Sequence, residues 1–426
     1  MSEINSRRVV ITGLGIVAPN GHGVEEYEQA LKNGVSGISH QSKLGDLKFG
    51  CHVAGVPKNI EAIQEQYFTQ EQLMSMNSNI IYASIAAIDA FKDAGFELPA
   101  EDSDVDWDMG AIIGTGIGGM DTTGEKLIPM TNAGRVRRMG STIVEQVMGS
   151  GVSAKVAGLL ALGNQVTTNS SACSTGTEAI ADAVYRIKAG LAERMLAGGA
   201  EGSSEYIWAG FDAMRVLNKN FNDNPEEASR PMSASAAGFI PGSGAGILML
   251  ESLESAQARG ARIYAEIIGQ SINCGGHRQG GSMTAPNPNS VQRCIRSALE
   301  TAGIAGHQVN AINGHLTATF ADPHEVRNWQ KALGVDPENL PYINSTKSMI
   351  GHGLGAAGGM EAVACVLEVY KDFVHGSLNC EDLHEELKPF EKSVVRKTIH
   401  TTVDILAKAS FGFGDVNACL IFKKWQ

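Results

Sequence analysis

The sequence predicts an α/β protein made of two duplicated halves, in which sheets and helices form alternating layers. Apolar runs of strand length alternate with small-residue segments of helical periodicity from Val9 onwards, which is typical of α/β layers. Two helical segments also resemble each other: Glu361 lies 183 residues after Glu178, and Lys371 lies at the same distance after Lys188. Chance similarity between two alanine-rich helices is the alternative to duplication.

The individual elements follow from hydrophobic periodicity. Strand candidates are short apolar runs bounded by glycine or polar residues, and helix candidates have apolar residues spaced three or four positions apart. A polar stretch near residues 255–262 marks a junction, which gives an N-terminal half of residues 1–257 and a C-terminal half of residues 258–426. We expect strands at residues 9–13, 109–113, 194–197, 245–250, 264–268 and 418–422, and helices at residues 79–93, 177–189, 290–302 and 358–370.

Composition argues against several functional classes. No apolar run approaches the roughly 18 to 20 residues that span a bilayer, and residues 1–8 lack the apolar core of a signal peptide. Seven cysteines without CxxC spacing argue against a disulfide framework and a zinc site. A net charge of −12 argues against nucleic acid and anionic membranes, except at the basic cluster of residues 135–138. We therefore expect a cytoplasmic protein with reduced thiols and no metal.

A glycine-rich segment, Gly114-Thr115-Gly116-Ile117-Gly118-Gly119, follows a predicted strand and matches the pattern G-x-G-x-x-G. This pattern alone would suggest a dinucleotide site. The residues after it do not form a convincing apolar helix, and no strand ending in an acidic residue follows at the required distance. We therefore expect a tight glycine turn that lines a pocket rather than an NAD site.

Cys173 lies in a polar, small-residue turn between a short predicted buried strand at residues 165–168 and a helix that starts near Gly176. A thiol in the first turn of a helix faces unpaired backbone N–H groups and the positive end of the helix dipole, which favour the thiolate. This position favours a nucleophile. A small buried structural thiol is the alternative, because that is the commonest fate of a free cysteine.

Three further segments combine reactive residues with glycine, and they are centred on His315, on Lys347 to His352, and on Ser410-Phe411-Gly412-Phe413-Gly414. Together with Cys173, and in this order, they resemble the elongating β-ketoacyl-[acyl carrier protein] synthases, type II in particular, a branch of the thiolase-fold condensing enzymes. The resemblance runs almost end to end. It implies a thiolase-like fold with duplicated αβαβα layers.

The resemblance also implies roles for the central residues. Cys173 would hold an acyl chain as a thioester while a malonyl thioester loses carbon dioxide. Neutral His315 and His352 would donate N–H groups to the thioester oxygen on which negative charge then develops. For either histidine taken alone, a structural role is the alternative, and the division of roles between the two stays open.

Lys347 matches the family's buried lysine, and an ion pair with Glu361 or Glu325 would allow it to organise the histidines. An exposed cation at a strand end is the alternative. The oxyanion of the acyl intermediate would be held by the backbone N–H groups of the nucleophile and of Phe413, whose ring would gate the acyl pocket together with Phe411. The resemblance further assigns Thr317, Thr319, Ile117 and Phe211 to substrate binding. Because the family's basic docking cluster is missing from residues 70–74, our hypothesis is that the carrier protein docks on other cations, namely Arg135, Arg137, Arg138 and Arg215.

Several positions depart from the family's usual pattern. Leu316 and Asp415 stand where glycine is usual, and Asp415 would stiffen the gate or tie it to a cation. Residues 275–281 resemble an insertion that alters the second active-site loop, and residues 70–74 lack the basic cluster that helps to dock the carrier. These differences indicate specialised substrate handling. The remaining departures are Met232, Ser233 and Ser243.

The predicted activity is a decarboxylative Claisen condensation of a Cys173-bound acyl chain with malonyl-[acyl carrier protein], as in fatty-acid elongation. A ketosynthase of a type II polyketide or aryl polyene pathway is the first alternative. A non-catalytic subunit similar to a chain-length factor is the second, although such partners usually lack the cysteine. A thiolase is disfavoured because Cys419 lies inside an apolar strand. We expect an acyl carrier protein as partner, its phosphopantetheine as the only prosthetic group involved, and a homodimer or a heterodimer with a chain-length-factor-like subunit.

Overall fold

The structure, a computed structural model, describes residues 7–426, so the prediction about the first residues of the chain lies largely outside it. Within this range, no helix is both long and apolar enough to cross a bilayer. The strands are β1 Val9–Ala18, β2 Gly21–His22, β3 Ile38–His40, β4 Val53–Gly55, β5 Met109–Gly114, β6 Val166–Thr167, β7 Arg194–Glu201, β8 Gly244–Ser252, β9 Ala265–Cys274, β10 Ala311–Asn313, β11 Tyr342–Asn344, β12 Phe373–Val374, β13 Ile399–His400, β14 Ile405–Gly412 and β15 Val416–Lys424.

The four predicted helices correspond to Ser78–Asp93, Thr175–Lys188, Pro288–Ala302 and Ala357–Lys371, and the six predicted strands match β1, β5, β7, β8, β9 and β15. The helices are α1 Val24–Asn33, α2 Ser42–Asp46, α3 Ile60–Gln64, α4 Gln70–Leu73, α5 Ser78–Asp93, α6 Met120–Thr122, α7 Ile128–Asn132, α8 Ile143–Val147, α9 Gly151–Leu160, α10 Thr175–Lys188, α11 Glu205–Ala213, α12 Leu253–Ala258, α13 Pro288–Ala302, α14 Asp322–Leu333, α15 Lys347–Ile350 and α16 Ala357–Lys371.

Two half sheets share one topology. Their strand orders are β6-β5-β7-β8-β1 in the N-terminal half and β11-β10-β14-β15-β9 in the C-terminal half. In each, the first three strands run parallel, and the fourth strand is antiparallel to both of its neighbours. A short antiparallel contact between β1 and β9 joins the halves into one sheet. The repeated topology confirms the duplicated α/β fold, while the division at residues 257 and 258 stays a prediction.

Five layers result from the packing of helices on these sheets. The helices α10 and α16 lie in the centre and contact strands of both halves. On the outer faces, α5 and α9 cover the N-terminal half sheet, and α13, backed by α14, covers the C-terminal one. The central helix α16 is buried from Ala357 to Val369, in agreement with an apolar sequence interrupted only by Glu361 and Glu368 in that stretch.

Glycines allow α16 to lie directly on the N-terminal half sheet. A Cβ atom on Gly359 would overlap the carbonyl oxygen of Gly246 in β8 and would lie 2.7 Å from the nitrogen of Gly199 in β7. All of these neighbours are backbone atoms, which cannot rotate away. The distance between the central helix and the strands is therefore set by the absence of side chains.

Replacing Gly359 with alanine should therefore destabilise the fold. We expect Gly359→Ala to lower the free energy of unfolding by about 1–3 kcal/mol, since overpacking of a close-packed interior costs roughly this much. Gly158→Ala is the matched control, because Gly158 lies on the exposed side of α9, where an added methyl group would have nothing within 4 Å. It should stabilise by about 0.5–1 kcal/mol. Urea unfolding measures both, and equal stabilities for the two variants would contradict the packing argument.

Candidate active site

Cys173 lies at the turn that joins the edge strand β6 to helix α10. A single 3₁₀ turn, Ala172–Ser174, carries it, and its exposed fraction is 8%. Ala172 has a φ of 51°, which a residue with a Cβ rarely adopts. The Thr175 hydroxyl donates to the Ala172 carbonyl at 2.6 Å and accepts the Ser171 N–H at 2.8 Å, so hydrogen bonds hold the strained turn. The strand before it is half-buried rather than buried as predicted, because β6 lies at the sheet edge.

His352 reaches the nucleophile from the C-terminal half. It lies between α15 and the 3₁₀ turn Leu354–Ala356, and its Nε2 is 3.1 Å from Cys173 Sγ. The Leu354 N–H donates to His352 Nδ1 at 3.3 Å, so Nδ1 is an acceptor and the ring proton lies on Nε2. Burial, aided by two nearby ammonium groups, holds the pKa of His352 well below its usual range. The ring is therefore a neutral N–H donor directed at the thiol.

His315 lies beside His352 just beyond β10, with ring centroids 5.5 Å apart. The Glu325 carboxylate fixes its backbone by accepting the N–H groups of His315 at 2.6 Å and Leu316 at 2.7 Å. Burial and neighbouring positive charges lower the pKa of the His315 ring well below its usual range. Its Nδ1 atom is buried without a hydrogen-bond partner in the described chain. The His315 ring is therefore neutral, and its Nδ1 atom takes no part in the hydrogen bonds of the described residues.

The ligand-type atoms of Cys173, His315 and His352 all lie within 4.8 Å of one another. Among residues 7–426, this is the one group of histidine, cysteine or acidic side chains with the spacing of a metal site. The ammonium groups of Lys347 and Lys408 oppose a divalent cation at this position, because they act on the same histidines through a poorly solvated interior.

Lys347 forms an ion pair with Glu361 at the base of the site, and both side chains are buried. The other predicted partner, Glu325, is wrong as an ion-pair partner. Its oxygens are occupied by the two loop amides and by the Trp329 indole N–H at 3.3 Å. The second oxygen of Glu361 accepts a bond from another buried ammonium, that of Lys408, at 2.7 Å.

The resting nucleophile is a protonated thiol. Burial raises the pKa of Cys173 to about 11, against the opposing effects of the Lys347 charge and of the Phe413 backbone N–H. The prediction that the helix terminus favours the thiolate is therefore wrong in direction, because removal from water penalises the anion more than these groups stabilise it. A nucleophilic role for Cys173 therefore requires that the thiol lose its proton during the reaction rather than before it.

The Phe-Gly-Phe-Gly loop covers another side of the nucleophile. A Cβ atom on Gly412 would lie 3.1 Å from the nitrogen of Cys173, so the two segments pack backbone against backbone. The Phe413 N–H is directed at the sulfur as a result. The Phe411 ring is buried and lies 6.0 Å from the His315 ring.

The half-buried Phe413 ring faces an aromatic cluster contributed by residues 205–240. Its centroid is 6.3 Å from that of Phe211, which in turn is 5.5 Å from Phe239. The Phe239 ring is 5.1 Å from His352, so the cluster reaches the reactive atoms. Ile117, also predicted near the acyl chain, has an exposed fraction of 39%.

Asp415 anchors the Phe-Gly-Phe-Gly loop to residues 275–287, which we call the second loop. Its carboxylate accepts the N–H groups of Asn287 at 2.7 Å and His277 at 3.1 Å, and its carbonyl accepts that of Gly275 at 2.9 Å. A Cβ atom on Gly275 or Gly281 would overlap this carboxylate. Asp415 was predicted either to stiffen the loop or to bind a cation. Its carboxylate binds backbone amides of residues 275–287 instead of a cation.

The amides of Gly116 and Ile117 in the glycine-rich segment are occupied by a carboxylate. The buried Glu201 carboxylate accepts the N–H groups of Gly116 at 2.9 Å and Ile117 at 3.1 Å, and that of Gly355 at 3.0 Å. The Thr115 hydroxyl donates to the same carboxylate at 3.2 Å. The turn therefore joins the two halves near the active site, and this arrangement does not suit a dinucleotide.

Thr317 and Thr319 lie just beyond His315, with their hydroxyl oxygens 3.1 Å apart. Buried Asp322 shapes this loop by accepting the N–H groups of Thr317 at 3.0 Å and Met232 at 2.8 Å. The four arginines predicted to dock a carrier protein are exposed: Arg135, Arg137, Arg138 and Arg215.

Sequence reasoning missed Lys408, Glu201 and Phe239. A lysine within the apolar run of residues 405–409 was an available signal, because lysine is rarely buried unless it is paired. Glu201 and Phe239 gave no comparable signal, since an acidic residue at a strand end and a phenylalanine after glycine are both common.

Two family profiles match the chain. "Beta-ketoacyl synthase, N-terminal domain" matches residues 6–256, and "Beta-ketoacyl synthase, C-terminal domain" matches residues 264–381. The chain is also similar to a 3-oxoacyl-[acyl-carrier-protein] synthase 2 of Synechocystis sp., with 35% identity and 100% of both chains covered.

Solved structures give a similar result. The ishigamide ketosynthase/chain length factor has a TM-score of 0.88 and 30% identity, with coverage of 99% of this chain and 100% of that chain. A type II PKS acyl-carrier protein in complex with its ketosynthase bound to the hexaketide has a TM-score of 0.86 and 29% identity, with coverage of 98% and 100%.

Removing the Asp415 carboxylate should loosen the second loop. In Asp415→Gly, the N–H groups of His277 and Asn287 lose their acceptor, so we expect hydrogen exchange at residues 275–287 to become roughly ten times faster, which corresponds to the loss of about one hydrogen bond. Asp404→Asn is the control, because Asp404 is exposed and directly precedes β14, at the opposite end of this strand from the gate. Unchanged exchange in Asp415→Gly, measured by mass spectrometry, would show that the carboxylate does not hold the loop.

Proposed function

The chain belongs to the β-ketoacyl synthase family, and from this we propose that it is an acyltransferase that condenses a Cys173-bound acyl chain with malonyl-[acyl carrier protein]. The product is a β-ketoacyl-[acyl carrier protein], as in fatty-acid elongation. The observation that carries this proposal is the convergence of one thiol and two neutral imidazoles within 4.8 Å in a buried site.

In the first half-reaction, Cys173 Sγ attacks the carbonyl carbon of the acyl thioester. The new C–S bond forms as the bond to the carrier thiol breaks, and the proton lost by Cys173 leaves with that thiol. The negative oxygen of the intermediate is held by the N–H groups of Cys173 and Phe413, which the close approach of Gly412 brings together. Transfer of the Cys173 proton to the leaving thiol also fits a nucleophile whose pKa burial raises to about 11.

In the second half-reaction, the malonyl group loses carbon dioxide and its electron pair passes to the thioester, giving an enolate. His352 donates its Nε2–H to the enolate oxygen, and His315 supplies the second donor. The enolate carbon then attacks the acyl carbon, so a C–C bond forms while the C–S bond to Cys173 breaks. The released thiolate takes up a proton from solvent. Exclusion of water by the gate protects the enolate from protonation.

The acyl groups arrive on the phosphopantetheine of an acyl carrier protein, and Thr317 and Thr319, which follow His315 closely in the chain, are the proposed contacts for this arm. The protein acts as a dimer, either with itself or with a subunit similar to a chain-length factor. We assign the reaction to the cytoplasm, because Cys173 must stay reduced and all seven cysteines are free.

A ketosynthase of a type II polyketide or aryl polyene pathway is the second candidate. It is favoured by the similarity to two ketosynthases of known structure, one with a chain length factor and one with a bound hexaketide. The same reactive residues serve both candidates, and the two differ in the acyl chain that the pocket accepts. A non-catalytic partner subunit is disfavoured by the complete set of reactive residues.

Acylation of Cys173 tests the proposed reaction. With a panel of acyl-carriers, the intact mass of the protein should increase by the mass of one acyl group, and Cys173→Ala should abolish this increase. Cys274→Ala is the control, because Cys274 is the one exposed thiol and should leave the mass increase unchanged. Failure of every acyl group to load would refute the enzyme function. The acyl group that loads best distinguishes fatty-acid from polyketide supply.

Carrier docking depends on the exposed arginines. Reversing charge in Arg137→Glu with Arg138→Glu should weaken carrier binding roughly tenfold or more at low salt, because two attractive contacts become repulsive. The matched control is Arg293→Glu with Arg296→Glu, an equal charge change on the outer helix α13, where both residues are exposed. Calorimetric titration with the carrier should separate the two pairs, and equal affinities would place the docking surface elsewhere.

A further inference from the structure

Lys408 belongs to a fully buried cluster that also contains Lys347 and Glu361. The two lysines donate to different oxygens of the Glu361 carboxylate: Lys347 to Oε1 and Lys408 to Oε2. Lys408 Nζ donates further to Ser410 Oγ at 2.8 Å and to the Ala409 carbonyl at 3.1 Å. All three hydrogens of its ammonium group are therefore used.

The cluster holds more positive than negative charge. Lys347 alone already neutralises Glu361, so Lys408 adds one positive charge to an interior that water does not reach. Burial of a charge without its own counter-ion is strongly unfavourable. A well-packed apolar residue would stabilise the strand better, so stability does not account for the lysine.

Lys408 also connects the cluster to the nucleophile. Its acceptor Ser410 Oγ lies 2.8 Å from Thr177 Oγ1 in helix α10, and the Ser410 carbonyl accepts the Ser174 hydroxyl at 3.1 Å. Ser174 follows Cys173 directly. Lys408 is thus bonded on one side to Ser410, which holds the turn around Cys173, and on the other side to Glu361, which pairs with Lys347. The lysine itself belongs to none of the four sequence motifs.

On the basis of the proposed condensation, we propose that Lys408 is a positioning residue: it holds Glu361 opposite Lys347, and its charge keeps both histidines in the neutral, N–H-donating form. His315 and His352 belong to the same site, and the low pKa of each arises first from burial, then from Lys347, with a further contribution from Lys408. A protonated ring would carry a charge next to two ammonium groups, which is unfavourable.

Few other groups around Lys408 carry charge. On α16, burial raises the pKa of Cys365 well above its usual range, and on β15 it does the same for Cys419. Further along α16, burial raises the pKa of Glu368 to about 8, and this carboxyl bonds to Asn344 instead. The charges that face Lys408 are therefore those of Glu361 and Lys347.

The test compares Lys408→Met, which removes the charge at similar volume, with Lys408→Arg, which retains it. Lys188→Met is the matched control, because Lys188 is a half-buried lysine on α10 whose Nζ bonds to Gln270 at 3.1 Å, away from the histidines. Two readouts are followed against pH: release of carbon dioxide from malonyl-carrier, and the ¹³Cε1 signals of His315 and His352, assigned by substitution of each histidine.

Loss of the positive charge raises the histidine pKa, so the rings become protonated at a higher pH than in the parent protein. We expect the acid limb of decarboxylation and both NMR titrations to move to higher pH in Lys408→Met than in the parent protein. Lys408→Arg and Lys188→Met should titrate like the parent protein.

A uniform loss of rate in Lys408→Met, without a shift in either titration, would mean a merely structural role and would overturn the inference. If that variant does not fold, Lys408→Gln replaces it, and failure of both to fold would overturn the inference as well. Absence of carbon dioxide release by the parent protein would refute the proposed function, while the NMR titration would still decide the role of Lys408.

Discussion

The contact between the first turns of α10 and α16 is the constraint on which the rest of the site depends. A Cβ atom on Gly176 would lie 2.6 Å from the nitrogen of Gly359, so the helices meet backbone to backbone. The nucleophile turn directly precedes one helix and the His352 segment precedes the other. Because the two halves are duplicated, this contact brings equivalent positions together, and Sγ and Nε2 come to 3.1 Å. Catalytic geometry is therefore a property of the interface between the halves, not of either half alone.

Close packing also excludes water, and this decides the ionisation of the site. Burial raises the pKa of Cys173 and lowers that of both histidines, so the reacting groups are neutral at rest. Charge lies in the buried cluster of Lys347, Lys408 and Glu361 behind them and on carboxylates that are bound to backbone amides, such as that of Glu201. Negative charge then appears only on reacting atoms, where fixed N–H donors already point. This preorganisation is possible because buried carboxylates hold the backbone around the reactive side chains, as Glu325 holds that of His315.

The sequence was sufficient for the elements and the motifs but not for most contacts between them. Periodicity located the central helices, and the order of four motifs located Cys173, His315, Lys347 and His352. The sequence could not show whether Glu361 or Glu325 is the ion-pair partner of Lys347. Both glutamates lie on helices, and the partner depends on how these helices pack. The thiol pKa was predicted in the wrong direction because a helix N-terminus is visible in a sequence, whereas the desolvation that outweighs it depends on the whole fold.

Two departures from the family pattern explain each other in the gate. An aspartate at position 415 would be costly to bury alone, since its exposed fraction is 0%. The insertion-like loop supplies the N–H groups that satisfy it, and Gly275 and Gly281 leave the space that its carboxylate occupies. Asp415 lies two residues after Phe413, so these bonds tie the Phe-Gly-Phe-Gly loop to residues 275–287. Neither departure suits the fold without the other, because the buried carboxylate needs the amides and the space that the loop supplies. The pair therefore changes the surroundings of the site while the reactive residues stay the same.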